Sequence, residues 1–141
     1  MANVIYNSFK GAINSVSWGD NSTTTIKVML VTSGYVPNID THSFISDVTN
    51  EVTGAGYTAG GKALLNRTIT IDTTNNLANY DADDIAWTAS TVTARGLVIY
   101  KDTGTPATSP LIAYIDFVSD KTSADADFVI TWHANGIFDV A

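Results

Sequence analysis

The chain has 141 residues, 45% of them hydrophobic and only 15% charged, with a formal net charge of −7 and no cysteine. That length predicts a single domain spanning 1–141, large enough to bury its own core without staples. The acidity disfavours binding to nucleic acid or an anionic membrane, which needs clustered Lys and Arg, and the lack of cysteine excludes disulfides, thiolate catalysis and cysteine metal sites.

Thr, Ser and Asn replace the missing charge. Thr is β-branched, and Ser and Asn compete with helical hydrogen bonds, so this composition favours strands and turns. Residues Met1 to Tyr6 lack a basic region followed by an apolar run, so no signal peptide is expected. No apolar run approaches the ~18 residues of a membrane span. The expectation is a soluble protein made in a cytoplasm.

In chain order, Ile5, Phe9, Ala12, Ile13 and Val16 follow a helical stripe. Residues 1–18 therefore form either a short helix packed on a sheet or an arm docked on a neighbouring subunit. Gly19-Asp20-Asn21-Ser22 is a turn. Ile26 to Val31 is a strand, apolar on both faces from Val28 and hence central. Asp40 or Thr41 caps one or two helical turns holding Phe44, Ile45 and Val48. Asp47 near their end opposes the helix dipole and keeps them short.

Residues 51–62 contain Gly54, Gly56, Gly60 and Gly61. The spacing from Gly56 to Lys62 is too short for a phosphate-binding loop, and Ala63 stands where Ser or Thr is required. An extended loop or irregular edge segment is expected. In Thr68 to Asp72, Ile69 and Ile71 face inward and the rest outward.

After a turn at Asn75-Asn76, strand is expected at Ile85 to Thr88, and Thr91 to Ala94 continues into Arg95 to Tyr100, where Leu97 to Tyr100 is central and paired with Val28 to Val31. Leu111 to Phe117 and Phe128 to Trp132 follow, separated by a turn. Leu111, Ala113, Ile115 and Phe117 share one face. Asn135-Gly136 suits a type I′ hairpin turn, with Ile137 to Val140 as the return strand. The seven to nine short strands predict a mainly β fold, an antiparallel β-sandwich or jelly-roll-like barrel with one or two short helices.

Few constellations carry chemistry. Asp81, Asp83 and Asp84 form the densest acidic cluster, but they lack the further ligands and the Gly of a calcium loop, so loop capping and solvation are favoured over cation binding. Asp125 and Asp127 suit an exposed strand face. His42 and His133 sit in unlike contexts, a helix start and a strand end, and there is no Gly-x-Ser-x-Gly elbow. No catalytic, cofactor-binding or metal-ligating residue is assigned. Trp18, Trp87 and Trp132 read as core. Tyr6, Tyr35, Tyr57 and Tyr80 lie in loop-like contexts, where tyrosine suits protein–protein contact; a carbohydrate-binding platform is the alternative.

The string from Ile26 to Val31, Tyr35-Val36-Pro37-Asn38, Asp40-Thr41-His42, Asn50 to Gly61, Asp81 to Asp84 with Trp87, Thr93 to Gly96, Pro110 to Phe117 and Phe128 to Trp132 resembles a family of small proteins encoded among the structural genes of tailed bacteriophages. The resemblance covers most of the chain after residue 25. It implies a non-enzymatic virion component, a decoration or cement protein on the capsid exterior. Its partners would be the major capsid protein and copies of itself in a homotrimer, with no cofactor. Other virion positions (head–tail connector, tail tube or tail tip) are the alternatives. On this reading the interface residues are Val4, Ile5, Tyr6, Phe9, Tyr35, Gly54, Gly56, Tyr57 and Tyr80.

Overall fold

The computed structural model describes residues 3–141. It is a mainly β protein of two antiparallel sheets and one helix, consistent with a β-sandwich. The larger sheet has the order β1-β7-β6-β2-β3, with β1 at Val4–Ile5, β2 at Thr25–Val31, β3 at Lys62–Ala63, β6 at Ile85–Asp102 and β7 at Leu111–Ile130. The smaller sheet has the order β4-β5-β8, formed by Thr68–Asp72, Leu77–Asp81 and Phe138–Val140. Helix α1, Asn7–Val16, kinks at Ala12 and ends on a left-handed Ser17 (φ 57). It buries Phe9 and Val16, and Ile13 packs against the same core.

Both faces of the large sheet are covered, which explains the unbroken apolar runs at its centre. Val28, Leu30, Leu97 and Ile99 face α1 and the small sheet. Met29, Val31, Val98 and Tyr100 face a second core with Tyr6, Tyr35, Ile45 and Tyr114. Val28 pairs with Ile99 and Leu30 with Leu97, so the predicted central pairing is present.

Several boundaries differ from expectation. The runs 85–100 and 111–132 are not a series of short strands; β6 has 18 residues and β7 has 20. The Ser, Thr and Asp clusters expected to be turns sit at register shifts within this hairpin. At one of them the Ser90 hydroxyl lies 2.9 Å from the Ser123 hydroxyl and donates to the Ala126 carbonyl (3.0 Å), while the Val92 amide donates to Ser123 (3.2 Å). Side chains thus satisfy backbone groups that the interrupted ladder leaves unpaired. Another shift lies where Ile99 pairs with Ala113 but Tyr100 with Leu111. Leu111 therefore turns to the second core, away from the Ala113 face where it was expected.

Asn135-Gly136 does close a tight turn, through the Gly136 amide on the His133 carbonyl (2.9 Å). Gly136 has φ 115 but Asn135 is not left-handed, so the turn is not type I′. The chain leaving it joins the other sheet, with Phe138 opposite Tyr80. Aromatic packing accounts for the crossing: Phe138 stacks on Tyr80 at 4.8 Å and meets Trp18 and Phe9 edge-on. The helical turns expected near 41–48 reduce to one 3-10 turn, Ile45–Asp47. The Asp47 carboxylate reaches back to accept from the Ser43 and Phe44 amides, and these amides hold its pKa below the usual carboxylate range. Ile69 and Ile71, expected to face inward, are 44% and 70% exposed: they share a face with Tyr80 and Ala78, but β4 is the outer strand of its sheet and the core does not cover them.

Candidate interaction surfaces

The residues assigned to an interface scatter. Tyr6, Phe9, Tyr35 and Tyr80 are buried in this chain's own core, which corrects their placement on an interface surface. The three tyrosines sit in loop-like sequence contexts and Phe9 in the helical stripe, but all four rings are buried against this chain's own core. Val4 and Ile5 are half-buried in β1, paired to Tyr114 and Ala113 of β7. Only Gly54 and Gly56 are fully at the surface, and Tyr57 is half-buried.

The Tyr6 hydroxyl lies 2.8 Å from the Tyr35 hydroxyl, which lies 2.9 Å from His42 Nδ1. His42 Nδ1 also accepts the Asn38 amide (3.2 Å), and its ring stacks on Tyr35. Burial, then the Tyr35 hydroxyl, pushes the Tyr6 phenol pKa well above its ordinary value. This chain of polar groups fastens the 35–44 segment over the second core.

The glycine-rich segment is fastened as firmly. The Glu51 carboxylate accepts both the Tyr57 hydroxyl and the Gly60 amide, each at 2.7 Å. The Tyr57 hydroxyl accepts the Leu30 amide (3.0 Å), and the Tyr100 hydroxyl donates to the Gly60 carbonyl (2.5 Å). The glycines permit close backbone approach: a Cβ on Gly61 (φ +85) would lie 1.8 Å from the Val28 carbonyl oxygen, and one on Gly54 would lie 2.1 Å from that of Thr91. The segment is a clamp over β2 and β6.

Among the described residues no three His, Asp or Glu side chains converge as a metal site would require. In the acidic turn, Asp83 accepts from the Asn66 side chain (2.6 Å) and Asp84 from the Trp132 amide (2.9 Å). The Asp83 carbonyl accepts the Trp132 indole N–H (2.9 Å). The turn therefore positions Trp132. Asp127 accepts the Ala89 amide, and His133 Nδ1 the Asn135 amide.

Trp132 walls a cleft of about 580 Å³, which lies along β7. Phe117 and Phe128 line it with rings 6.2 Å apart. Ile137 joins the Trp132 wall, and Lys121 and Asp127 add charge. The Asp116 amide donates to the Asn3 side chain (2.8 Å), and among the described residues no strand pairs with β7 on this side beyond Tyr114, so β7 from 117 to 130 presents an open edge. The largest of its register shifts lies at Arg95. Ala94 pairs with Lys121 but Gly96 with Asp116, so Phe117 to Asp120 oppose the single residue Arg95. At the crest Val118 is 79% exposed with φ 72, a conformation costing a β-branched residue about 1–2 kcal/mol. Its amide and the Arg95 guanidinium both donate to Asp116, each at 3.0 Å. Burial raises the Asp116 pKa, but the Val118 amide and Arg95 are among the interactions that hold the carboxyl below the usual range.

Sequence reasoning missed this cleft because the alternation at Phe117, Phe128 and Trp132 identifies a shared face but not how far the opposing sheet covers it. Buried Arg67 was missed too. An open strand edge beside an apolar cleft takes an extended chain segment, with backbone bonds along the edge and alternate side chains in the cleft. Comparison with protein families, with curated proteins and with solved structures finds no match for this chain.

Proposed function

We propose that this chain is a non-enzymatic structural protein of a tailed-bacteriophage virion. In this reading it is a decoration or cement protein that binds the outside of the major capsid lattice as a homotrimer and stabilises it. The resemblance in sequence motivates the reading, and the open β7 edge with its aromatic cleft carries it in the structure. A cement protein needs a rigid scaffold presenting docking surface. The doubly covered central sheet supplies the rigidity, and the β6–β7 hairpin extends the surface beyond it. The polar clamps at Glu51 and Tyr35 hold the loops without charged side chains in number.

Quantitative mass spectrometry of density-purified particles tests this. The expected result is a copy number comparable with that of the shell subunit and a trimeric mass by light scattering. Absence from particles, together with a concentration-independent monomer, overturns it. A copy number matching the neck or tail tip assigns it there instead.

A further inference from the structure

β4 has a free edge that the reading above does not use. β4 ends the order β4-β5-β8, and among the described residues nothing pairs with its outer side. Proteins blunt exposed edges with Lys, Pro, a bulge or a covering element. Thr68-Ile69-Thr70-Ile71-Asp72 has no Lys, Pro or left-handed residue. Ile69 and Ile71 are largely exposed although they lie on the Tyr80 face, and Ile69 walls an open groove of about 280 Å³ against Phe9 and Ile13.

We infer that a second copy of this chain occupies this edge, β4 pairing antiparallel with its counterpart about a twofold axis at Thr70. The strand identifies its own partner, because its pattern reads nearly alike in both directions from Thr70. Antiparallel pairing on that centre sets Thr70 opposite Thr70 of the partner subunit and Ile69 opposite Ile71 of the partner subunit. All four isoleucines then lie on one face, as cross-strand apolar pairs continuous with the groove. The pairing is isologous and closes on itself, so the edge is consumed without propagating a fibre.

Charge selects the direction. Each chain carries −7, and Asp72 is the only charged residue of β4. Its carboxylate is held in its own turn by the Thr74 and Asn75 amides and the Asn75 side chain. Antiparallel pairing sets Asp72 opposite Thr68 of the partner subunit, so the two carboxylates lie about 14 Å apart along the strands. That exceeds the Debye length of about 8 Å at physiological ionic strength. Parallel pairing would set them side by side. The inference does not rest on the virion reading. If both hold, this contact joins one trimer to the next, since a twofold cannot close a trimer.

The absence of cysteine makes single-cysteine reporters clean. Facing residues of an antiparallel pair have Cα atoms about 4.5–5.5 Å apart, within disulfide range. Under mild oxidation Thr70→Cys should yield covalent dimer faster than Thr68→Cys, whose thiols would lie about 14 Å apart. It should also outpace Ala107→Cys on the β6–β7 loop. Adding Ile71→Lys to Thr70→Cys should abolish the advantage, and all four sites are exposed enough to spare the fold. The inference is overturned if Thr70→Cys cross-links no faster than Ala107→Cys, if Thr68→Cys matches it, or if Ile71→Lys has no effect.

Discussion

Arg67 offers the sharpest test of what holds the two sheets in register. It is only 5% exposed. Its Nε donates to the Trp18 carbonyl (2.8 Å), Nη1 to that of Leu64 (2.9 Å), and Nη2 to those of Asp20 (2.5 Å) and Thr24 (2.6 Å). One guanidinium thus ties the turn after α1 to the start of β4. Replacing it with Met keeps most of the stem and removes every donor. Asp20 and Thr24 are half-buried, and water replaces the lost donor there. Trp18 and Leu64 are buried, and each orphaned carbonyl costs about 1–3 kcal/mol. The expected loss for Arg67→Met is therefore about 4 kcal/mol, a large share of a typical 5–15 kcal/mol total. Arg67→Lys replaces a rigid fork with a point donor that reaches fewer carbonyls, and should lose about half as much. Urea unfolding followed by tryptophan fluorescence measures both. A loss below about 1 kcal/mol for Arg67→Met, or Arg67→Lys matching wild type, refutes the reasoning.

Other substitutions separate groups that look alike in sequence. The buried Tyr114 hydroxyl has no hydrogen-bond partner among the described residues, so Tyr114→Phe should leave stability unchanged or raise it by up to about 1 kcal/mol. Tyr35→Phe breaks two hydrogen bonds and should cost about 1–3 kcal/mol; equal effects in urea unfolding would contradict the assignment. Gly61→Ala drives a Cβ into the Val28 carbonyl, whereas Gly104 (φ +89) has open space around it. Gly61→Ala should cost well above the ~1–2 kcal/mol of left-handed strain alone, and Gly104→Ala no more than that strain, as read from melting temperatures. Asp102 lies 2.8 Å from Lys27, and that contact lowers its carboxyl pKa from 3.8. A lowered folded value means its contribution is present above the unfolded pKa and lost as pH falls through the folded one. Asp102→Asn should flatten the fall in stability below about pH 4; an unchanged acid limb would argue against the pair.

What the sequence made legible follows from where side chains alone decide structure. Val28 to Val31 and Leu97 to Tyr100 are apolar on both faces, which requires cover on both faces, and they pair as expected. The stripe from Phe9 to Val16 yields the helix, while Ile5 falls in β1. The β6–β7 hairpin was opaque because Ser90, Ser123 and Asp125 sit at register shifts, where the chain uses residue types that also build turns, and Val118 gives no sign of its left-handed backbone. The final hairpin misled for a different reason: Asn135-Gly136 specifies a local reversal, but the Tyr80–Phe138 stack decides which sheet receives the returning strand. Arg67 gave no signal, since its partners are backbone carbonyls that every sequence possesses. The loop tyrosines show the same limit. Local context places Tyr6 and Tyr35 in irregular backbone, and only the fold reveals that their rings close a second core.

Thermal rupture of particles tests the proposed stabilisation of a capsid from outside most directly. Particles from a phage deleted for this gene should assemble, release their DNA at a lower temperature than wild type, and regain the wild-type value when the purified protein is added back. Identical rupture temperatures with and without the protein, or particles that fail to assemble tails in its absence, would contradict the account.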